Sequence, residues 1–139
     1  YLTIHSQQKK IHMNPIAKWH QVVKEKDFQL LEEILDDSVT FYSPVIFTPQ
    51  KGKEITLFYL STVAEVFEGN SFSYTHEIID GNMASLEFEL ELEGVHINGL
   101  DLITWNEDQK ITEFKVFIRP LQGLNALHKN MGLILKKIS

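Results

Sequence analysis

Cysteine is absent from the chain, which removes disulfide frameworks and thiolate metal sites together. That absence suits a reducing cytoplasm, the compartment expected for this protein. No apolar run approaches the roughly 20 residues needed to span a bilayer. The opening YLTIHSQQKKIHM also lacks the long apolar segment of a signal peptide. Basic clusters are missing too. The net charge is −6, and lysines come singly or in pairs such as Lys9–Lys10 and Lys136–Lys137. Nothing here resembles the basic face that displaces counterions from phosphates, so neither nucleic acid nor an anionic membrane is an expected partner. There is no glycine-rich phosphate loop or dinucleotide fingerprint, and the histidines at 5, 12, 20, 76, 96 and 128 show no HxxxH or HExxH spacing. The expectation is therefore no metal and no organic cofactor.

What is present is core material. A hydrophobic fraction of 43% with nine Phe, four Tyr and two Trp in 139 residues suits one packed domain. Residues 1–13 are polar and without a period, and read as an N-terminal extension; the domain is expected over 14–139. Asn14 is a good N-cap and Pro15 fits a first helical position. Ile16, Trp19, His20 and Val23 then form one helical stripe. A second helix is predicted from Asp27, with Phe28, Leu30, Leu31, Ile34 and Leu35 inward and a stop at Asp36–Asp37. A third is predicted over Lys53–Phe67, with Ile55, Phe58, Tyr59, Val63 and Val66 or Phe67 as core contacts.

From residue 69 the period becomes two. Phe72–Asp80 and Met83–Glu93 read as strands joined by the tight-turn pair Gly81–Asn82. In the second of them Leu86, Phe88, Leu90 and Leu92 alternate with Glu87, Glu89, Glu91 and Glu93, which requires one dry and one wet face. The glutamates are expected to face solvent, crossing to Lys115 and Arg119 on a neighbouring strand. Ser38–Ser43, Leu100–Trp105 and Ile111–Arg119 are further strands, and Gly94 and Gly99 flank VHIN. Helical spacing returns at Leu124, Leu127, His128, Met131, Leu135 and Ile138. The class is α+β, with helices packed on one side of a curved antiparallel sheet that encloses an apolar pocket.

Several blocks, in order, resemble the NTF2-like superfamily, in particular its SnoaL-like members. They are Trp19, Asp27, Asp36–Asp37, FYSPV at Phe41–Val45, Gly52, FYL at Phe58–Leu60, GLDLITWNEDQKI at Gly99–Ile111 and FKVFIRPL at Phe114–Leu121. The resemblance implies a cone-shaped (cystatin-like) pocket and homodimers. Its chemistry ranges over ketosteroid isomerases, polyketide cyclases, epoxide hydrolases and proteins without catalysis. Compared with ketosteroid isomerase, the oxyanion-binding aspartate falls on Asp101, within one residue of register. The general-base aspartate before a proline is replaced by Ser43 before Pro44, and the first-helix tyrosine by Trp19. Steroid-type isomerisation is thereby disfavoured.

The residues themselves single out Asp101, a carboxylate between Leu100 and Leu102. Period two puts it on one face with Ile103 and Trp105. Facing a pocket, its pKa would rise by desolvation and it could donate or accept a proton; facing solvent, it would do neither. His20, on the stripe of the first helix, is a second acid–base candidate or simply a helix-edge residue. Trp19, Tyr42, Ser43 and Tyr59 are candidate ligand contacts, or core and turn residues. Phe88, Phe114, Val116 and Ile118 lie on dry strand faces and are candidate pocket walls. His76, on a strand with Phe72 and Tyr74, is read as able to reach the cavity; Arg119 should point away from it. Three functions are compatible with this set: a binder of a small apolar or carbonyl-bearing metabolite, a cyclase, isomerase or hydratase using Asp101, or a dimeric interaction module without catalysis.

Overall fold

The structure, a computed structural model, describes residues 14–67 and 70–138. The reading of 1–13 as an extension lies outside the described residues, as do the side chains of Leu135 and Ile138. Helix α1 (Pro15–Glu25) starts where Asn14 Oδ1 accepts from the amide of Ile16 at 2.9 Å, and stops at Lys26, which adopts a left-handed conformation. Asp27 then caps α2 (Phe28–Ile34) by accepting from the amide of Leu30 at 3.1 Å. The chain enters β1 (Leu35–Tyr42) without a turn, so Asp36 and Asp37 belong to the strand rather than to a stop before it.

After the two-residue β2 (Gln50–Lys51), α3 (Lys53–Phe67) crosses to the meander β3 (Ser73–Asp80), β4 (Met83–Leu92), β5 (Val95–Trp105) and β6 (Ile111–Arg119). Helix α4 (Leu121–Ile138) closes the chain. The sheet order is β2-β1-β6-β5-β4-β3. Every pair is antiparallel except β1 and β6, which run parallel, so the sheet is mixed rather than wholly antiparallel. No helix among the described residues is long and apolar enough to cross a membrane.

Three further details depart from the sequence reading. Gly99 does not end a strand; it lies inside β5, where a Cβ would come within 2.2 Å of the Phe88 ring on β4. Only glycine lets that ring lie across the neighbouring backbone. The core face of α3 is rotated: Thr56 and Thr62 are buried while Phe58 is 41% exposed. Each threonine hydroxyl donates to a carbonyl one turn back, Gly52 O and Phe58 O, both at 2.8 Å, which removes the cost of burying it. Finally, Glu87 and Glu89 pair with His76, Asn98 and His96 on the adjacent β3 and β5. Lys115 and Arg119 belong to β6, a strand further away, and Lys115 instead lies over the Tyr42 ring at 4.6 Å.

The interior forms two apolar clusters. One joins α1, α2 and β1 to the β5–β6 end of the sheet, around Trp19, Phe41, Ile103 and Phe114. The other gathers Val66, Phe88, Leu90, Ile97, Leu127 and Met131 beneath α3 and α4. Fully burying such side chains contributes about 1.5–3 kcal/mol each. Tyr59, Tyr74 and Val116 pack against both.

Candidate ligand cavity

The sheet does not close against its helices. Between the two clusters lies a cavity of about 620 Å³, walled by Trp19, Phe41 and Phe114 from one and Phe88, Leu127 and Met131 from the other. Its volume falls within the range of small-molecule sites. Asp101 projects into it from β5 and is 5% exposed. Period two along β5 puts Ile97, Gly99, Asp101, Ile103 and Trp105 on the inner face, so a carboxylate occupies a position otherwise held by core residues.

Asp101 is not alone. The hydroxyl of Tyr74 donates to its Oδ2 at 2.6 Å, and the indole Nε1–H of Trp19 donates to the Tyr74 oxygen at 2.9 Å. Burial pushes the Asp101 carboxyl up from 3.8 to about 7, against the opposing pull of the Tyr74 hydrogen bond. Tyr74 is driven well above its ordinary value, first by burial and then by the neighbouring Asp101 charge, so it remains a neutral donor. The donors run one way, from Trp19 to Tyr74 to Asp101. Protonated, Asp101 has a hydroxyl to offer a ligand oxygen; ionised, it accepts from a ligand hydroxyl or takes a proton.

His20 also lines the cavity. Its Nε2 lies 2.6 Å from Glu77 Oε1, and its ring stands edge-on to Tyr74 with centroids 5.2 Å apart. Both partners are about two-fifths exposed, so the pair sits at the rim while Asp101 is enclosed. Ser43, too, is in the wall, and its Oγ accepts from the amide of Val45 at 3.1 Å.

Of the residues picked out from sequence, the cavity wall brings together Asp101, His20, Trp19, Ser43, Phe88, Phe114 and Val116. Tyr42, Tyr59 and Ile118 are outside that wall. Tyr42 follows Phe41 in β1 and so emerges on the opposite face, under Lys115. Tyr59 stacks on Phe41, with centroids 5.6 Å apart. Ile118 packs into the second cluster.

Tyr74 and Glu77 were missed, and one irregularity explains why. Strict alternation places Phe72, Tyr74 and His76 on a single face. In the structure Tyr74 pairs with Phe88 and His76 with Glu87, so β3 spends two residues against one of β4. This bulge at Thr75 reverses the parity. Tyr74 turns inward and His76 outward, to an ion pair with Glu87 at 3.2 Å, while Glu77 is brought to the His20 side. No glycine or proline in that strand signals the bulge. Among the described residues, no three acidic or histidine side chains converge where a metal could sit.

Comparison with known proteins agrees with this architecture. Among curated proteins no sequence matches the chain. A steroid Δ-isomerase from Pseudomonas aeruginosa is 31% identical, with a TM-score of 0.84 over 88% of this chain and 90% of that one. An uncharacterised bacterial protein with a cystatin-like fold, from Silicibacter pomeroyi, is 30% identical, with a TM-score of 0.80 over 87% and 84%. The epoxide hydrolase/cyclase-like enzyme SalBIII shares the fold at 18% identity, with a TM-score of 0.63 over 83% and 94%. The SnoaL-like domain model matches residues 16–114. With its helices laid over a curved six-stranded sheet, the chain belongs to the SnoaL-like family of NTF2-like domains.

Proposed function

We propose that this protein binds a small, largely apolar metabolite bearing a carbonyl or comparable oxygen, held in the cone with that oxygen against Asp101. One observation carries the reading: a carboxylate titrating at about 7 sits inside an apolar cavity, its second oxygen already taken by Tyr74. Near neutrality such a group is half protonated and can serve a ligand oxygen as donor. An unfilled hollow of this size favours a ligand over a module that uses the fold only for contacts. A homodimer and a cytoplasmic location are part of the same proposal.

The test is calorimetry with 2-acetylnaphthalene and 2-ethylnaphthalene, nearly isosteric molecules with and without a carbonyl. The ketone is expected to bind more tightly at pH 6, with its advantage shrinking by pH 8.5 as Asp101 ionises. Equal affinities at both pH values would remove Asp101 from the site.

A second reading, an acid–base enzyme of the isomerase, cyclase or hydratase type, is favoured by the 31% identity to a protein described as a steroid Δ-isomerase. In it Asp101 is the acid or base and His20, held by Glu77, the partner. Ser43, where a carboxylate would abstract the proton, argues against an identical reaction. Incubation with a Δ5-3-ketosteroid decides: formation of conjugated enone that is lost in Asp101→Asn would promote this reading over plain binding.

A further inference from the structure

An apolar loop is rooted in the wall of the cavity. Residues 43–49 join β1 to β2, and the first two of them, Ser43 and Pro44, belong to that wall. Pro44, Val45, Ile46 and Phe47 then follow without a polar residue among them. Loops run over the surface, and turn chemistry usually fills them with small polar residues. Here exposure instead grows along an apolar run. Pro44 and Val45 are half-buried, Ile46 is 38% exposed, and the Phe47 ring stands wholly in water at 102%. No other large hydrophobic side chain among the described residues is as exposed.

The loop is anchored at its ends and not at its tip. Phe41 pairs with Gln50 and Thr40 with Lys51, and the Gly52 amide donates to the Val39 carbonyl at 2.7 Å. Between these anchors the hydrogen bonds are internal. The Val45 amide donates to Ser43 Oγ at 3.1 Å, and Gln50 Nε2 donates to the Thr48 carbonyl at 3.0 Å. Among the described residues no hydrogen bond ties Ile46 or Phe47 to another element, so the tip can swing without breaking one. Only three residues of chain separate Phe47 from Pro44, which keeps its backbone within about 11 Å of the wall. The mouth has use for such a cover. The wall residues exposed there are Lys24, Ser71 and Ser73, whose polar groups give an apolar guest little to pack on.

We propose that this loop is a lid: on binding, Ile46 and Phe47 fold over the mouth, and the Phe47 ring packs on the apolar body of the guest. This rests on the cavity reading above and adds to it the residue that closes the site. The guest supplies the apolar surface that the ring otherwise lacks, so the ring is buried in the closed state alone and favours it.

The experiment uses 2-acetylnaphthalene with the wild type, Phe47→Ser, Phe47→Leu and, as a control, Leu121→Ser, which alters a side chain that is 72% exposed and outside the cavity wall. Two readouts are combined: nuclear Overhauser effects from the naphthyl protons to phenylalanine ring protons, and the dissociation rate by stopped-flow fluorescence. The wild type should show a contact to one ring that vanishes in Phe47→Ser. Burial of the ring, less the cost of ordering the tip, is expected to be worth about tenfold in affinity. Phe47→Ser should therefore release the guest about tenfold faster, because the lost contact exists only in the bound state. Phe47→Leu, which keeps an apolar side chain of similar reach, should recover most of that loss, and Leu121→Ser should match the wild type. Phe47 packs on nothing in the open form, so its replacement leaves the fold intact. If the guest binds without the Phe47 contact, or leaves Phe47→Ser within twofold of the wild-type rate, the lid is overturned and the cavity reading stands. An equal acceleration in Leu121→Ser also overturns it, since any exposed apolar side chain would then serve. Failure of the guest to bind the wild type overturns both.

Discussion

Replacing Asp101 by asparagine should make the protein's stability less sensitive to pH. In the folded state the carboxyl titrates at about 7, against 3.8 for an ordinary aspartate. A native group with a raised pKa holds its proton where the unfolded chain has lost its own, so stability falls as pH rises between the two values. At 1.36 kcal/mol per pKa unit the whole penalty is about 4 kcal/mol. The contribution is fully present below pH 3.8 and lost by about pH 8, and roughly 3 kcal/mol of that loss falls between pH 5 and 8. An amide at 101 can still accept from Tyr74 and cannot ionise, so it escapes the penalty. Urea denaturation followed by tryptophan fluorescence, at pH 5 and pH 8 on both proteins, isolates the effect, because every other titrating group cancels in the difference. The variant should gain on the wild type by about 3 kcal/mol from pH 5 to pH 8. A difference that does not change with pH would refute the burial argument.

Three further outcomes follow from the same geometry. Tyr74→Phe strips Asp101 Oδ2 and the Trp19 indole of their shared partner; it should cost about 1–3 kcal/mol. It should also raise the Asp101 pKa above its present value in a ¹³C-carboxyl NMR titration, since the Tyr74 hydrogen bond is what opposes burial; a fall would contradict the assignment. Gly99→Ala puts a methyl group within 2.2 Å of the Phe88 ring. Phe67, Phe72 and Tyr74 hem in that ring, so an overpacking loss of about 1–3 kcal/mol in urea denaturation is expected. Asn106→Ala removes the Oδ1 that accepts from the amides of Asp108 and Lys110 in the β5–β6 turn. A loss of about 1–2 kcal/mol with the cavity's ligand affinity unchanged is expected, and a change in affinity would mean that the turn governs the site.

Much of this was legible in the residues. The Leu/Phe–Glu alternation of Met83–Leu92 fixes which face of β4 is dry, and the same period carries Asp101 inward with Ile103 and Trp105. Asn14–Pro15 and Asp27 announce the helix starts through capping chemistry that acts over a few residues. The unread parts depend on distant contacts. The bulge at Thr75 decides that Tyr74, rather than His76, reaches Asp101, and nothing local marks it. Phe58 scores as core by hydropathy, but Thr56 and Thr62 satisfy their hydroxyls within the helix and take the buried positions. The parallel pairing of β1 with β6 joins the two ends of the domain, which no local pattern can show.

The function proposed for this cavity depends on a proton shared between Asp101 and a guest in the hollow. Carbonyl-¹³C-labelled 2-acetylnaphthalene reports it directly. On binding at pH 5, its carbonyl resonance should move downfield as it accepts the Asp101 proton, and the displacement should fade with a midpoint near the carboxyl's value of about 7. A bound resonance that ignores pH throughout that range, or no bound resonance at any protein concentration, would contradict it.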